Sequence, residues 1–394
     1  MTRHDVCHLL DMLAEVSDPR NKKGRRYPLK ALLAALIVGL LCGQNGYTCI
    51  AKWLRTQPAL AGALGFDKQK VPCPATFHNT LKRMDTQAFE NVLTRWVSTV
   101  LRSLPKPDTR LVAVAIDGKT LAGSRDRDAD TPQRHLLAAV SHDLGVVLAE
   151  CAVCEKTNEI PVSRELLKAV EVAEKVLTTD ALLTQRAFCQ DILHARGDYL
   201  LPVKANQKSI YEDIKDLFKP FSATGDPDDE IKMFQTFHTE ENAQFHQHTT
   251  TEIERGFTTQ RTLRTSTALN TYLDSPGLAQ VYEYRIQREH LSTGKQTEHK
   301  QYGITSLTPE NATAAELLDC RRKHWTIENK LHWIRDIVFA EDASLARKGS
   351  IPHTMAALRN TALAVLRFNG FTKISEKIRE FAPNPILAVK LIQQ

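Results

Sequence analysis

LVAVAI (residues 111–116), HLLAAVS (135–141) and GVVLAECAV (145–153) are three apolar runs that decide the fold of this chain. Their short length and their β-branched residues are typical of buried strands, and the short connections favour an antiparallel meander. Helical patterns at about 163–174 and 184–195 then alternate with the strand patterns KVLTT and DYLLPV. Such β-α-β crossovers favour parallel strands, so the sequence predicts an α/β protein.

A further helical pattern from Gln207 completes the order β-β-β-α-β-α-β-α, which is the order of the ribonuclease H-like fold. The next stretch is polar, with alternating patterns such as QVYEYRIQR that indicate a β-rich insertion. Helical patterns resume at about Ala312. The predicted parts are a helical, basic N-terminal DNA-binding domain, the first part of the core, the β-rich insertion, and a core completion with C-terminal helices, at residues 1–104, 109–218, 219–300 and 301–394.

The N-terminal part of the chain has a basic charge balance. Residues 1–105 hold 15 Lys and Arg against 7 Asp and Glu, a net charge of +8, whereas the whole chain has +6. Phosphate contacts need Lys and Arg, so this distribution suits DNA as a partner; an uneven solvated surface is the alternative. The run RNKKGRR supplies the candidate phosphate contacts Arg20, Lys22, Lys23, Arg25 and Arg26.

Helical patterns fill this N-terminal part. The apolar run Ala31–Cys42 predicts a buried helix, because it is well short of the ~20 residues that cross a bilayer. Residues 47–85 suggest three short helices, the last capped by Thr76, which is a loose helix-turn-helix pattern, and a longer helix is predicted at 86–103. With 8 cysteines and no secretory signal, the protein is expected to be cytoplasmic and nucleoid-associated. The CxxC pair Cys151 and Cys154 is expected to be buried thiols.

Three acidic residues lie where metal chemistry is expected. Asp117 directly follows LVAVAI and Asp180 directly follows KVLTT, which places both at strand ends, where ligand sites of open α/β sheets form. Glu328 lies in the helical pattern HWTIENKLHW. Mg²⁺ prefers carboxylate oxygens, and three such acids can hold two ions that activate a water or a 3′-hydroxyl. Each acid taken alone also fits a helix cap or a salt bridge.

Polar residues surround Glu328 at helical spacing. Arg321 and His324 lie seven and four residues before Glu328. His332 and Arg335 lie four and seven residues after it, and this spacing predicts one shared helix face. Cationic groups beside a metal-binding acid can grip phosphates, and a surface ladder of ion pairs is the alternative. The candidate phosphate contacts of the catalytic region are Arg321, His324, His332, Arg335, Lys119 and Lys204.

Several long blocks of the chain resemble the ISAs-type insertion-sequence transposases, also called H-repeat-associated proteins. The blocks are DPRNKKGRRYPLKALLAALIVGLLCG, AIDGKTLAGS, EKTNEIPVSRELL, VLTTDALLTQ, DYLLPVKANQKSIYEDI and RRKHWTIENKLHWIRDIVFAEDAS, in this order along nearly the whole length. The resemblance implies a DDE catalytic domain with Asp117, Asp180 and Glu328 as ligands of Mg²⁺ or Mn²⁺. It also implies double-stranded DNA, meaning terminal inverted repeats and target DNA, as the partner, with a homodimer in the synaptic complex.

The chain departs from the pattern of related transposases at two places. A Tyr, an Arg and a Lys are expected around the catalytic Glu, where this chain has Arg321, His324 and Arg335. Inside the insertion the chain reads ERGFTTQRT where a His-Gly-Arg run with a later Glu is expected. The leading hypothesis is an active transposase. Because of these departures, the alternative is a decayed DNA-binding relic. A general nuclease of the same fold is a third interpretation. Asn158, Glu159, Asn206 and Gln207 match the family blocks without a more definite role than shaping the site.

Overall fold

The computed structural model describes residues 8–66, 70–105, 109–126, 131–153, 159–205, 207–219 and 244–393. The predicted residues Cys154, Asn158 and Asn206 lie outside these ranges. The described residues form helices and β-strands, and the strands pair both parallel and antiparallel. The predicted α/β class is therefore confirmed. It clusters into a first unit and a second unit. The first unit is Met1–Asp108, Asp117–Val170 and Thr326–Gln394, and the second is Thr109–Ile116 and Glu171–Trp325.

The regular elements follow the predicted order closely. The helices are α1 (Leu9–Ala14), α2 (Leu29–Leu41), α3 (Tyr47–Leu54), α4 (Pro58–Ala63), α5 (Pro74–Leu81), α6 (Thr86–Ser103), α7 (Glu159–Ala169), α8 (Arg186–His194), α9 (Lys208–Leu217), α10 (Ala314–His324), α11 (Ile351–Phe368), α12 (Ile374–Phe381) and α13 (Pro385–Ile392). The strands are β1 (Val112–Leu121), β2 (Arg134–Ser141), β3 (Val147–Val153), β4 (Lys175–Thr178), β5 (Asp198–Val203), β6 (Phe245–Glu254), β7 (Phe257–Ser266), β8 (Gln280–His290) and β9 (Gln296–Thr305).

Helix α2 forms the centre of the helical part of the first unit. Nearly all of its residues are buried, because it is apolar on every face and α1, α3, α11 and α13 pack around it. The predicted buried helix is thus confirmed, and no described helix is long and apolar enough to cross a membrane. The predicted cap of helix α5 is wrong. Its N-cap is Cys73 instead of Thr76, because Pro74 fits the first turn of a helix, where its missing N–H is not needed.

The second unit contains most of the sheet. Its strand order is β1-β4-β5-β9-β8-β7-β6, in which β1, β4 and β5 are parallel and the later neighbours are antiparallel. The register places Ala115 opposite Thr178 and Val203 opposite Tyr302. Strand β9 therefore begins in the predicted insertion and ends beside the core strand β5. Gly303 is required there, since a side chain would overlap the Tyr282 ring.

The first unit contains β3, β2 and the later part of β1 from Asp117, in the order β3-β2-β1. Strands β2 and β3 pair antiparallel, with His135 opposite Val153, as the predicted meander requires. The predicted end of β1 at Ile116 is wrong, because the strand continues to Leu121. Leu121 is buried against Leu136 of β2 and a residue of α11, which favours the extended conformation beyond the apolar run. Asp117 consequently lies within a strand.

Candidate functional site

The segment that follows α10 carries Glu328 and is not a regular α-helix. Its residues Glu328–His332 and Ile334–Val338 form two π-helical turns, so the predicted continuous α-helical face is wrong here. The segment is anchored by contacts within the first unit. Lys330 Nζ donates to the carbonyl oxygens of His142 at 2.9 Å and Asp143 at 3.1 Å. Single π-turns of this kind occur frequently at functional sites.

An acid cluster in the first unit consists of Asp117, Glu328 and His332. One potential ligand atom from each lies within 4.8 Å of the other two. His332 Nδ1 is 3.7 Å from Asp117 Oδ2 and 3.6 Å from Glu328 Oε2. Glu328 is 57% exposed, whereas the His332 side chain is 9% exposed. The cluster therefore opens to solvent on its glutamate side and is closed behind the imidazole.

His332 is a neutral member of this cluster. Burial lowers its pKa to about 3, and the positive charges of Arg335 and Lys119 act in the same direction. The imidazole is therefore uncharged at neutral pH and keeps a nitrogen lone pair for a ligand. A neutral imidazole lacks the positive charge that was expected of His332, whose role as a phosphate contact stays a prediction. The i, i+4 spacing to Glu328 was the sequence signal that the two side chains meet.

Gly118, next to Asp117, allows a partly buried pair of side chains to approach the strand. His135 Nε2 lies 2.6 Å from Glu159 Oε1, and its Nδ1 lies 2.9 Å from Thr120 Oγ1. A Cβ on Gly118 would come within 2.5 Å of Glu159 Oε1 and 2.7 Å of His135 Nε2. Glu159 and His135 therefore support the backbone beside Asp117. The sequence matched Glu159 to a family block but gave no sign of its partner.

Replacing Gly118 with Ala is expected to lower the free energy of unfolding by about 1–3 kcal/mol, because the added methyl group overlaps two side chains. Thermal or urea unfolding measures this change. Gly62→Ala is the matched control, since a Cβ there meets nothing within 4 Å and the residue lies in α4. The control should be neutral or stabilised by up to about 1 kcal/mol. Equal stability of the two variants would contradict the described packing at Gly118.

Asp180 belongs to the second unit. Strand β4 ends at Thr178, and Asp180 is an exposed residue in the loop that follows. Its Oδ1 accepts a hydrogen bond from the backbone N–H of Leu182 at 2.9 Å, which holds the carboxylate in a local turn. Asp117 and Glu328 are thus brought together within the first unit, and Asp180 is held at a strand end of the second.

The predicted phosphate contacts near the acids have different surroundings. Arg321 and His324 are buried in the second unit, where Arg321 Nη2 donates to Gln301 Oε1 at 3.0 Å and His324 Nδ1 lies 2.9 Å from Thr178 Oγ1. Arg335 is fully buried in the first unit and pairs with Glu150 and Glu341. These three side chains are inaccessible to a phosphate in this conformation. They stabilise the core instead.

The two predicted lysines differ in accessibility. Lys119 Nζ lies 2.7 Å from a carboxylate oxygen of Asp336, and its side chain is mostly buried. The pair joins β1 to the second π-helical turn within the first unit. Lys204, in the second unit, is exposed at the end of β5. Lys204 therefore stays a candidate phosphate contact, while Lys119 is an anchor of the segment that carries Glu328.

The basic N-terminal run is partly exposed. Arg20 is buried, with its guanidinium bound to Asp18 at 2.8–2.9 Å and to the carbonyl oxygen of Tyr27 at 2.6 Å. Arg25 donates to the backbone oxygen of Arg20 at 2.9 Å. These bonds fix the loop that contains the run. The exposed basic side chains are Lys22, Lys23, Arg25 and Arg26.

Comparison with protein families settles the class of this chain. The transposase DDE domain matches residues 108–365, and a second family, described as DDE_Tnp_1-associated, matches residues 10–97. The chain belongs to the transposase DDE domain family. The predicted family is thereby confirmed, and both parts of the chain that the sequence separated at about residue 105 have their own family match.

Relatives support the same conclusion. The chain is 25% identical over 366 residues to the "Putative transposase YncI" of Escherichia coli O157:H7, which covers 91% of this chain and 87% of the relative. It is 24% identical over 361 residues to the "H repeat-associated putative transposase YhhI" of Escherichia coli strain K12, covering 91% and 90%. A piggyBac transposase in a synaptic complex with hairpin DNA is similar at a TM-score of 0.44 and 11% identity, covering 95% of this chain and 72% of that one.

Proposed function

We propose that this transposase binds the terminal inverted repeats of its element, cuts phosphodiester bonds there and transfers the freed 3′-ends to target DNA. Asp117, Asp180 and Glu328 are the proposed metal-binding carboxylates of a ribonuclease H-like core. The observation that carries the proposal is the convergence of Asp117 and Glu328, which are far apart in sequence, on one neutral imidazole. Synapsis of two DNA ends then requires at least a dimer during the reaction.

The acid cluster fits a divalent cation. It offers two carboxylate oxygens and one imidazole nitrogen within 4.8 Å, and the low pKa of His332 keeps the imidazole uncharged. Mg²⁺ or Mn²⁺, with two ions expected in the complete site, supplies activation of the attacking oxygen and stabilisation of the leaving oxygen. Asp117 and Glu328 would hold the ion, and the buried His332 closes the cluster on one side. The exposed Glu328 faces solvent, where a DNA backbone has access.

Asp180 is included among the proposed metal ligands because of the register between β1 and β4. Ala115 of β1 pairs with Thr178 of the parallel strand β4. Asp117 and Asp180 each follow these paired residues by two positions, and ligand sites form at the carboxyl ends of such strands. This placement supports a shared role for both carboxylates. The hydrogen bond from Leu182 orients the Asp180 carboxylate before metal binds.

We expect the exposed side chains of Lys22, Lys23 and Arg26 to contact DNA phosphates. Replacing all three with Ala should weaken binding to every duplex sequence. It should also reduce the slope of log K against log salt by about 0.9 for each phosphate that the variant no longer neutralises. Fluorescence anisotropy of a labelled duplex at several salt concentrations measures both quantities. An unchanged slope would exclude these residues from the DNA surface.

A matched control uses two other lysines of the first unit. Lys168 and Lys373 are 73% and 76% exposed and pair with nearby acids three positions away. Replacing both with Ala should leave the salt slope unchanged if the basic run is specific. Equal losses from the control variant and the triple variant would indicate a general effect of net charge.

The decayed relic remains the alternative function. The departing segment ERGFTTQRT covers the end of β6, the turn and the first part of β7. In the turn, Arg255 has a φ of 50° and Gly256 a φ of 78°. The departure from the related pattern therefore changes a hairpin end and leaves Asp117, Asp180 and Glu328 in place. Specific binding of terminal-repeat DNA without any metal-dependent cut would favour the relic, whereas cutting would exclude it.

A further inference from the structure

A second cluster of ligand-type side chains lies in the core of the first unit. Glu90 of α6, Glu150 of β3 and His353 of α11 each place one potential ligand atom within 4.8 Å of the other two. The side chains are 5%, 1% and 9% exposed, respectively. None of them belongs to the acid cluster of Asp117 and Glu328. Three separate elements therefore bring two carboxylates and an imidazole together away from solvent.

Each member of this core cluster has an atom that finds no hydrogen-bond partner among the described residues. These atoms are Glu90 Oε1, Glu150 Oε2 and His353 Nε2. Glu150 Oε1 is already bound by Arg335 Nη1 at 2.8 Å, so only its second oxygen is unsatisfied. His353 Nε2 is 3.5 Å from Glu90 Oε1, which is long for a hydrogen bond. Buried polar atoms of this kind are expensive unless a partner occupies the space among them.

The surrounding charges leave a deficit of positive charge. Glu90, Glu150 and Glu341 carry three negative charges, and Arg335 and Arg359, which bind the last two, carry two positive charges. A cation or a proton would supply what is missing. The unsatisfied imidazole nitrogen favours a cation, since neutral imidazole is a ligand of transition metals.

A small cavity borders the core cluster on the Glu90 side. Its volume is about 20 Å³, and its wall is formed by α6, β3 and α11. The wall includes Asn360, which is 8% exposed and whose side-chain oxygen and nitrogen both lack a hydrogen-bond partner within the described ranges. Such a volume holds about one water molecule. It provides room for a solvent ligand or for a shift of Glu90 towards an ion.

We propose that Glu90, Glu150 and His353 form a second metal site that binds one transition-metal ion such as Zn²⁺. Three protein ligands of this type, with a water as the fourth, suit Zn²⁺. Mg²⁺ is disfavoured because it takes oxygen ligands and loses its hydration shell reluctantly. The ion would join α6, β3 and α11, and its binding requires neither DNA nor the chemistry proposed for Asp117 and Glu328.

The test uses the full chain carrying Asp117→Asn and Glu328→Gln, so that the acid cluster no longer retains ions. This parent is stripped with chelator and dialysed against Zn²⁺ in the presence of millimolar Mg²⁺. We expect one Zn²⁺ per chain by elemental analysis and a higher Tm than in the stripped protein. Adding Glu90→Gln, or separately His353→Gln, should abolish both effects. His194→Gln, a histidine of the second unit that lies outside both clusters, should leave both unchanged.

The outcomes separate a metal from a proton. No bound Zn²⁺ in the parent would overturn the proposal and leave a proton as the occupant. One bound Zn²⁺ that persists in Glu90→Gln and His353→Gln would also overturn it by placing the ion elsewhere. If one core variant fails to fold, the other one still decides. DNA cleavage is not measured, so failure here leaves the proposed transposase function untouched.

Discussion

Replacing Glu328 with Gln is expected to slow metal-dependent DNA cleavage by roughly 10³-fold or more and to leave DNA binding intact. The substitution keeps the size of the side chain and removes the charge that would hold the cation. Loss of metal assistance costs several kcal/mol of transition-state stabilisation, and about 4 kcal/mol corresponds to that factor. Single-turnover cleavage of a labelled terminal-repeat duplex gives the rate, and anisotropy of the same duplex gives the affinity.

Glu376→Gln is the matched control for this experiment. Glu376 is 60% exposed, close to the 57% of Glu328, and lies in α12 of the same unit. The control should cut at the wild-type rate. A Glu328→Gln protein that cuts as fast as this control would remove Glu328 from the catalytic site. A variant that loses DNA binding and cleavage together would show that the side chain acts in binding instead.

Replacing Arg335 with Met is expected to destabilise the protein by about 3–5 kcal/mol, the cost of breaking a buried ion pair. Arg335 Nε donates to Glu341 Oε2 at 2.7 Å and Nη1 donates to Glu150 Oε1 at 2.8 Å. All three side chains are buried, so both carboxylates would lose a partner without gaining water. These carboxylates raise the pKa of Arg335 despite its burial, which reflects the strength of the pairing. Urea unfolding followed by circular dichroism measures the loss.

Lys168→Met provides the contrast for the buried pair. Lys168 pairs with Glu165 at 2.8 Å, and the two side chains are 73% and 67% exposed. Because exposed pairs contribute at most about 1 kcal/mol, this variant should unfold near the wild-type urea concentration. Arg335→Met with the stability of Lys168→Met would contradict the buried network. If the Arg335→Met protein binds DNA phosphates as tightly as the wild type, this result would agree with the core position of Arg335.

Most of the fold followed from hydrophobic patterns. The apolar run at α2 and the strand patterns at β2, β3 and β5 match the structure, because burial on one or both faces determines their residue types. The continuation of β1 to Leu121 was missed, because Asp117, Gly118 and Lys119 interrupt the apolar pattern. The pairing of β9 with the core strand β5 was not predicted either. This pairing is a long-range choice that local composition does not encode.

The sequence predicted only part of the candidate site, because contacts between distant residues are not encoded locally. Asp117 and Glu328 were identified by position and family blocks, and the structure brings them together within one unit. The phosphate-binding roles of His332 and Arg335 stay predictions. The structure shows both side chains buried, which a helical spacing does not reveal. Both residues lie in π-helical segments, and Glu150, which binds Arg335, lies 185 positions before it in the chain. Only the folded chain shows such partners.

The most direct test of the proposed function is cleavage of a labelled duplex carrying the element's own terminal repeat, with wild-type protein and with Asp180→Ala. Asp180 lies in the second unit, so this variant asks whether its carboxylate acts in the same reaction as Asp117 and Glu328. We predict nicking at the end of the repeat with Mg²⁺ or Mn²⁺, which is lost with chelator and in the variant. Cleavage that persists in Asp180→Ala, or wild-type protein that binds the repeat and never cuts it, would contradict the account.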